Sequence, residues 1–161
     1  MSARLLGALL TVTLVLVPAS NAHAQRERHA RTELRTDVFV ARRPTVHLGV
    51  GVAIPVTTYM RVAGIAAGGA VSTDGTSEPA ARGELLARFV LDPLGERRWG
   101  LYGAAGVGAF WDNEIAWRGR LLLSAGIEGR LQGAWTPALE VGLGEGLRIG
   151  VVMRRRAGLV R

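Results

Sequence analysis

The feature that most constrains this chain is a period of two that runs from Thr45 almost to its end. From Thr45 to Val56, bulky Val46, Leu48, Val50, Val52, Ile54 and Val56 alternate with Thr45, His47, Gly49, Gly51, Ala53 and Pro55. Successive side chains of an extended strand point to opposite faces, so this segment has one bulky apolar face and one small or polar face. The same test sets Leu85, Ala87 and Phe89 against Arg82, Glu84 and Arg88. From Trp117 to Leu131 it sets Leu121, Leu123, Ala125 and Ile127 against Arg118, Arg120, Ser124, Glu128 and Arg130. Trp99 to Trp111 alternates over a face of mostly Gly and Ala. Leu139, Val141 and Leu143 oppose Glu140, and Leu147, Ile149, Val151 and Met153 oppose Arg148 and Arg154. Tyr59 to Val71 is the weakest strand, with Gly and Ala on both faces and Arg61 its only charge.

These seven strands become eight if Thr32 to Ala41 adds one, with Leu34, Thr36, Val38 and Val40 on a face. Eight is a common closure number for small barrels. The connections are too short for crossover helices, so the expected fold is an all-β, antiparallel, up-and-down meander β-barrel of about eight strands. Pro55 to Thr58, Asp92 to Gly95, Gln132-Gly133 and Gly144 to Gly146 carry turn chemistry. The longer polar stretches 72–80 and 112–116 follow the third and fifth strands and therefore fall at one end, as external loops would.

The ends divide the chain further. Arg4 precedes an apolar stretch from Leu5 to Val17 that is too short for a membrane helix, and Ala22-His23-Ala24 supplies a small-x-small cleavage pattern. Residues 1–24 thus read as a signal peptide; removing 24 of 161 residues leaves 137, one domain's worth. Residues 25–37 (QRERHARTELRTD) read as a flexible charged leader or a weak first strand, 38–156 as the barrel and 157–161 as a C-terminal tail. With no Cys, an exported chain has no disulfide framework.

Alternation alone does not say which face points inward. Strand length favours lipid outside, because outer-membrane strands need about nine to eleven residues when tilted and soluble strands run about half that. Trp99 and Trp111 share a face at opposite ends of one strand. Their separation along the membrane normal comes to roughly 28 Å, the height of an apolar band between aromatic girdles. The charged faces carry both signs, with Glu84, Glu128 and Glu140 against Arg61, Arg82, Arg88, Arg118, Arg120, Arg130 and Arg148. In a narrow lumen such charges pair, which implies a plugged interior rather than an open pore.

Strands such as Trp99 to Trp111 and Leu121 to Gly129, behind a signal peptide, give the chain its resemblance to the small bacterial outer-membrane β-barrel superfamily that includes OmpA-like, OmpX-like and opacity-type proteins. The resemblance is one of pattern, covers most of the mature chain and carries over no functional residue. It implies an envelope location and a structural or surface-interaction role. The chain departs from many members in running on from Arg154 to Arg161 instead of closing on Phe or Trp.

The net charge of +7 comes entirely from arginine, interleaved singly in apolar segments, and an exported chain meets little nucleic acid, so no nucleic-acid partner is expected. His29 and His47 have no paired ligand spacing, and no Gly-x-Ser-x-Gly elbow or phosphate loop occurs. His47 with Ser124 or Glu128 is the one imaginable rim site, and no catalytic, cofactor or metal residue is assigned. The expected partners are outer-membrane lipid and an envelope or extracellular partner at loops 72–80 and 112–116. The rival reading is a secreted soluble β-barrel that binds a small apolar ligand, with the Leu and Val faces inward.

Overall fold

A computed structural model describes residues 30–73, 75–92, 99–114, 116–129 and 134–156. Eight strands follow in order: β1 (Arg31–Val40), β2 (Thr45–Pro55), β3 (Met60–Thr73), β4 (Thr76–Val90), β5 (Trp99–Asp112), β6 (Arg118–Gly129), β7 (Trp135–Leu143) and β8 (Leu147–Arg156). Each pairs antiparallel with the next, and β8 returns to β1, from Arg31↔Arg156 to Val40↔Leu147, so the sheet closes without an edge. The all-β meander expected from the alternation is the observed fold. The signal peptide at 1–24 and the tail at 157–161 lie outside the described residues.

The bulky apolar faces point outward. Leu121 is 82% exposed and Leu123 61%, and Val46, Leu48, Val50, Val52 and Ile54 on β2 stand out in the same way. The soluble barrel with Leu and Val packed inside is therefore overturned: its ligand space holds other side chains. The outward aromatics lie at strand ends, with Tyr59 stacked on Phe89, Trp99 and Trp135 at the end that carries both termini of the barrel, and Trp111 and Trp117 at the other. Inward aromatics Phe39, Tyr102 and Phe110 help fill the lumen.

Two boundaries differ from expectation. β1 begins at Arg31, so residues 31–37 are barrel wall rather than part of a charged leader. The reason is closure: Glu33, Arg35 and Asp37 turn inward to partners on distant strands, while Leu34, Thr36 and Val38 face out. Stretch 72–80 is likewise not a loop. β3 and β4 stay paired through Val71↔Glu78 and Ser72↔Ser77 to Thr73↔Thr76. Gly75 takes φ 83° there, a conformation that side-chain-bearing residues rarely adopt. Pro79 lies just beyond Ala80↔Asp112, where the β4–β5 ladder ends, so its missing N–H interrupts only an edge. The segment with small residues on both faces is the long strand β3, and the turns at 56–59 and 144–146 fall where the residues placed them.

Candidate functional site

The barrel's chemistry is concentrated in its lumen. Alternation on β1, β4, β7 and β8 brings Glu33, Arg35 and Asp37, Arg82, Glu84 and Arg88, Glu140, and Arg148 and Arg154 to the inner face, all of them buried. Glu140 is the hub. It is 0% exposed and accepts hydrogen bonds from Arg35 Nη2 at 2.5 Å, Arg148 Nη2 at 2.8 Å, Arg154 Nη2 at 3.1 Å and the Tyr102 hydroxyl at 2.7 Å. Asp37 accepts from Arg35 at 2.7 and 3.0 Å, from Arg148 at 3.1 Å, and from Arg82. Arg148 also reaches both Glu84 oxygens, at 3.1 and 3.2 Å. Toward the end with the termini, Glu33 accepts from Arg88 and Arg154, and Glu128 accepts from Arg154 and Arg31, both at 2.6 Å, with Arg61 at 3.5 Å.

Buried ions are tolerated only when opposite charges and hydrogen bonds replace their hydration. Here guanidinium forks shared between carboxylates supply the opposite charge and many of the hydrogen bonds, while Arg35 Nη1, Arg82 Nη1 and Arg88 Nε are buried without a hydrogen-bond partner among the described residues. Two apolar clusters take the remaining space: Phe39, Ile65, Leu86, Phe110 and Leu122 with small neighbours, and Val90, Tyr102, Ala138 and Val152. The lumen is thus a packed lattice rather than a channel.

Glycine makes room for it. A methyl group added at Gly126 would overlap Tyr102 Cζ and Oη, and one at Gly150 would overlap Asp37 Oδ1. Gly126→Val should therefore displace Tyr102 from Glu140 and destabilise the barrel by about 1 to 3 kcal/mol, measured by urea unfolding in a fixed detergent.

Of the sequence-predicted charges, Arg82, Glu84, Arg88, Glu140 and Arg148 are buried in the lumen, and Arg61 and Glu128 lie at the end with the termini. Arg118 is at the opposite rim, and Arg130 lies outside the described residues. Arg120 is a correction: its strand position faces inward, but the side chain is exposed. β7 and β8 turn at 144–146, and the β6–β7 ladder ends at Leu123↔Leu143, so β5 flanks Arg120 on one side but no wall stands on its β7 side to enclose it. Arg120→Leu should change stability by no more than about 0.5 kcal/mol in the same assay.

His47 does not join a site with Ser124 or Glu128. Buried at 1% exposure, it packs edge-on against Phe39 with ring centroids 5.6 Å apart, while Glu128 is engaged at the far end of the lumen. No group of three or more His, Cys, Asp or Glu placed to hold a metal occurs among the described residues. Sequence reading missed Glu33, Arg35, Asp37, Tyr102 and Arg154 as network members. The available signal was the two-residue spacing of the β1 charges between outward Leu34, Thr36 and Val38.

The loop end carries a second cluster. Arg43, between β1 and β2, pairs with Glu114 at 2.6 Å, lies 3.7 Å from Asp112 and 3.8 Å from Glu78, and donates through Nε to Thr73 Oγ1 at 3.0 Å. Arg118 bonds Asp112 at 2.9 Å and pairs with Glu145. All four connections at this end are tied together through these two arginines.

No protein-family model matches the chain, and no curated protein sequence matches it. Among solved structures, the chain is similar to a de novo designed protein, TMB2.3, seen by solution NMR, at TM-score 0.50 and 13% identity over 81% of this chain and 94% of that one. The crystal structure of Ail, the attachment invasion locus protein of Yersinia pestis, matches at TM-score 0.43 and 12% identity over 80% of this chain and 95% of that one. Ail in complex with the heparin analogue sucrose octasulfate gives 0.41 and 13% over 80% and 96%. At these identities the designed barrel supports a shared fold and nothing beyond it.

Proposed function

We propose that this chain is a small bacterial outer-membrane β-barrel protein, exported by its signal peptide, with a structural or surface-interaction role and a plugged, charge-paired lumen. The observation that carries this reading is the inversion of polarity: bulky apolar side chains outside between two aromatic rims, and arginines and carboxylates inside. Water on both sides of such a wall would leave a large apolar surface exposed, whereas hydrocarbon solvates it. The end where β1 leads into β2, β3 into β4, β5 into β6 and β7 into β8 is the outer end, where the tied cluster around Arg43 and Arg118 presents charges of both signs to a partner. The reading gives the chain no catalytic step, cofactor or nucleic-acid partner, and takes bilayer lipid as its constant neighbour.

Cell fractionation followed by electrophoresis of boiled and unboiled samples tests it. A closed membrane barrel resists detergent, so the protein should sit in the outer-membrane fraction and migrate differently until heated. Recovery in the soluble fraction with identical mobility before and after boiling would overturn the proposal.

A further inference from the structure

Among the described residues, Arg155 is the one charged residue whose strand position faces out from the barrel wall. Every other outward position on the eight strands is apolar, small, proline or hydroxyl-bearing. Arg155 lies directly opposite Trp135, with its guanidinium carbon 5.9 Å from the indole centroid, at the aromatic rim beside the barrel's termini. Its other strand neighbour is Thr32, whose side chain is also exposed.

A groove of about 1040 Å³ opens beside this point: Arg155 does not line it, but its two strand neighbours, Trp135 and Thr32, both do. It follows the ladder across the sheet through Val52, Gly64 and Leu85 to Val107 on β5. Val107 is eight residues along β5 from Trp99. With tilted strands, the groove therefore climbs about 19 Å from the rim into the apolar band. Gly64 and Ala66 leave the wall there bare of bulky side chains, and a methyl group at Gly64 would meet nothing within 4 Å.

We infer that this groove holds an anionic phospholipid, its phosphate on Arg155 and an acyl chain laid from Trp135 past Gly64. Charge complementarity selects the occupant: an isolated outward cation at headgroup level recognises phosphate by its planar fork, and Trp135 anchors the same interface. From the two strand neighbours of that cation the groove runs into hydrocarbon depth, which free phosphate does not need and a lipid does.

The inference rests on the membrane reading, and its test separates the two. The detergent-solubilised protein is titrated with dioleoyl phosphatidylglycerol, with dioleoyl phosphatidylcholine and with glycerol phosphate, and retained lipid is counted by native mass spectrometry. The expected result is about tenfold stronger retention of phosphatidylglycerol than of phosphatidylcholine, lost in Arg155→Gln. Gly64→Leu, which fills open space without touching the fold, should weaken retention of both lipids, and glycerol phosphate at equal concentration should not compete. Arg155→Gln holding phosphatidylglycerol as the unaltered protein does, while still showing heat-dependent mobility, would overturn the lipid site and leave the barrel standing. A protein that stays soluble without detergent and shows no mobility shift would remove the membrane reading itself.

Discussion

Glu140→Leu should cost about 3 to 5 kcal/mol of stability and is the most damaging single substitution expected in the lumen. Glu140 is the shared acceptor of Arg35, Arg148 and Arg154, with Arg88 at 3.7 Å and the Tyr102 hydroxyl at 2.7 Å. Replacing it with an apolar residue of similar size keeps the volume but strands several guanidinium groups in a space without bulk water. The loss comes from those unsatisfied cations more than from the bonds themselves. Removing one of them as well should therefore recover part of it: Arg35→Leu combined with Glu140→Leu should be less destabilised than the sum of the two singles. Urea unfolding followed by tryptophan fluorescence in a fixed detergent gives all four corners of that cycle. Strict additivity would mean that Arg35 and Glu140 do not stabilise each other.

Leu123→Arg should impair insertion, at a cost of about 2 to 4 kcal/mol. On β6, Leu123 is six residues from Trp117 at one rim and six from Gly129, which pairs with Trp99 at the other. Its neighbour Ala105 is likewise midway between Trp99 and Trp111. A cation there sits at the middle of the apolar band, too far from either interface for its side chain to reach water easily. The same change at Leu101, which also faces out but lies two residues along β5 from Trp99 at the rim, should cost less because the interface is near. Yield of heat-modifiable barrel after refolding into vesicles measures both. Equal yields for the two variants would place the apolar band elsewhere.

The outer wall was legible in the sequence because alternation assigns residues to faces and the tryptophans mark where the apolar band stops. What alternation does not carry is the partner across the lumen. Glu33, Arg35 and Asp37 look the same in sequence whether they dissolve in water or bury themselves, and only the return of β8 onto β1, with Glu33 beside Arg154, decides between the two. Arg120 shows the converse failure. Its parity marks it as inward, but the height of the neighbouring wall, set by where β7 and β8 turn, decides whether inward means enclosed. At 72–80, Gly75 and Pro79 signalled a loop where pairing carries on to Thr73↔Thr76, because the cross-strand bonds of an already aligned hairpin outweigh local turn preference.

The central claim is that the Leu and Val faces meet lipid, and a label at position 123 tests it most directly. The chain has no native Cys, so Leu123→Cys and Arg120→Cys each give one attachment point for a polarity-sensitive dye. In bilayers, the dye at 123 should be quenched by lipid-phase quenchers and spared by aqueous ones, and the dye at 120, beyond the low rim, should show the reverse. A dye at 123 shielded from both quenchers, in a protein that stays soluble without detergent, would contradict the account.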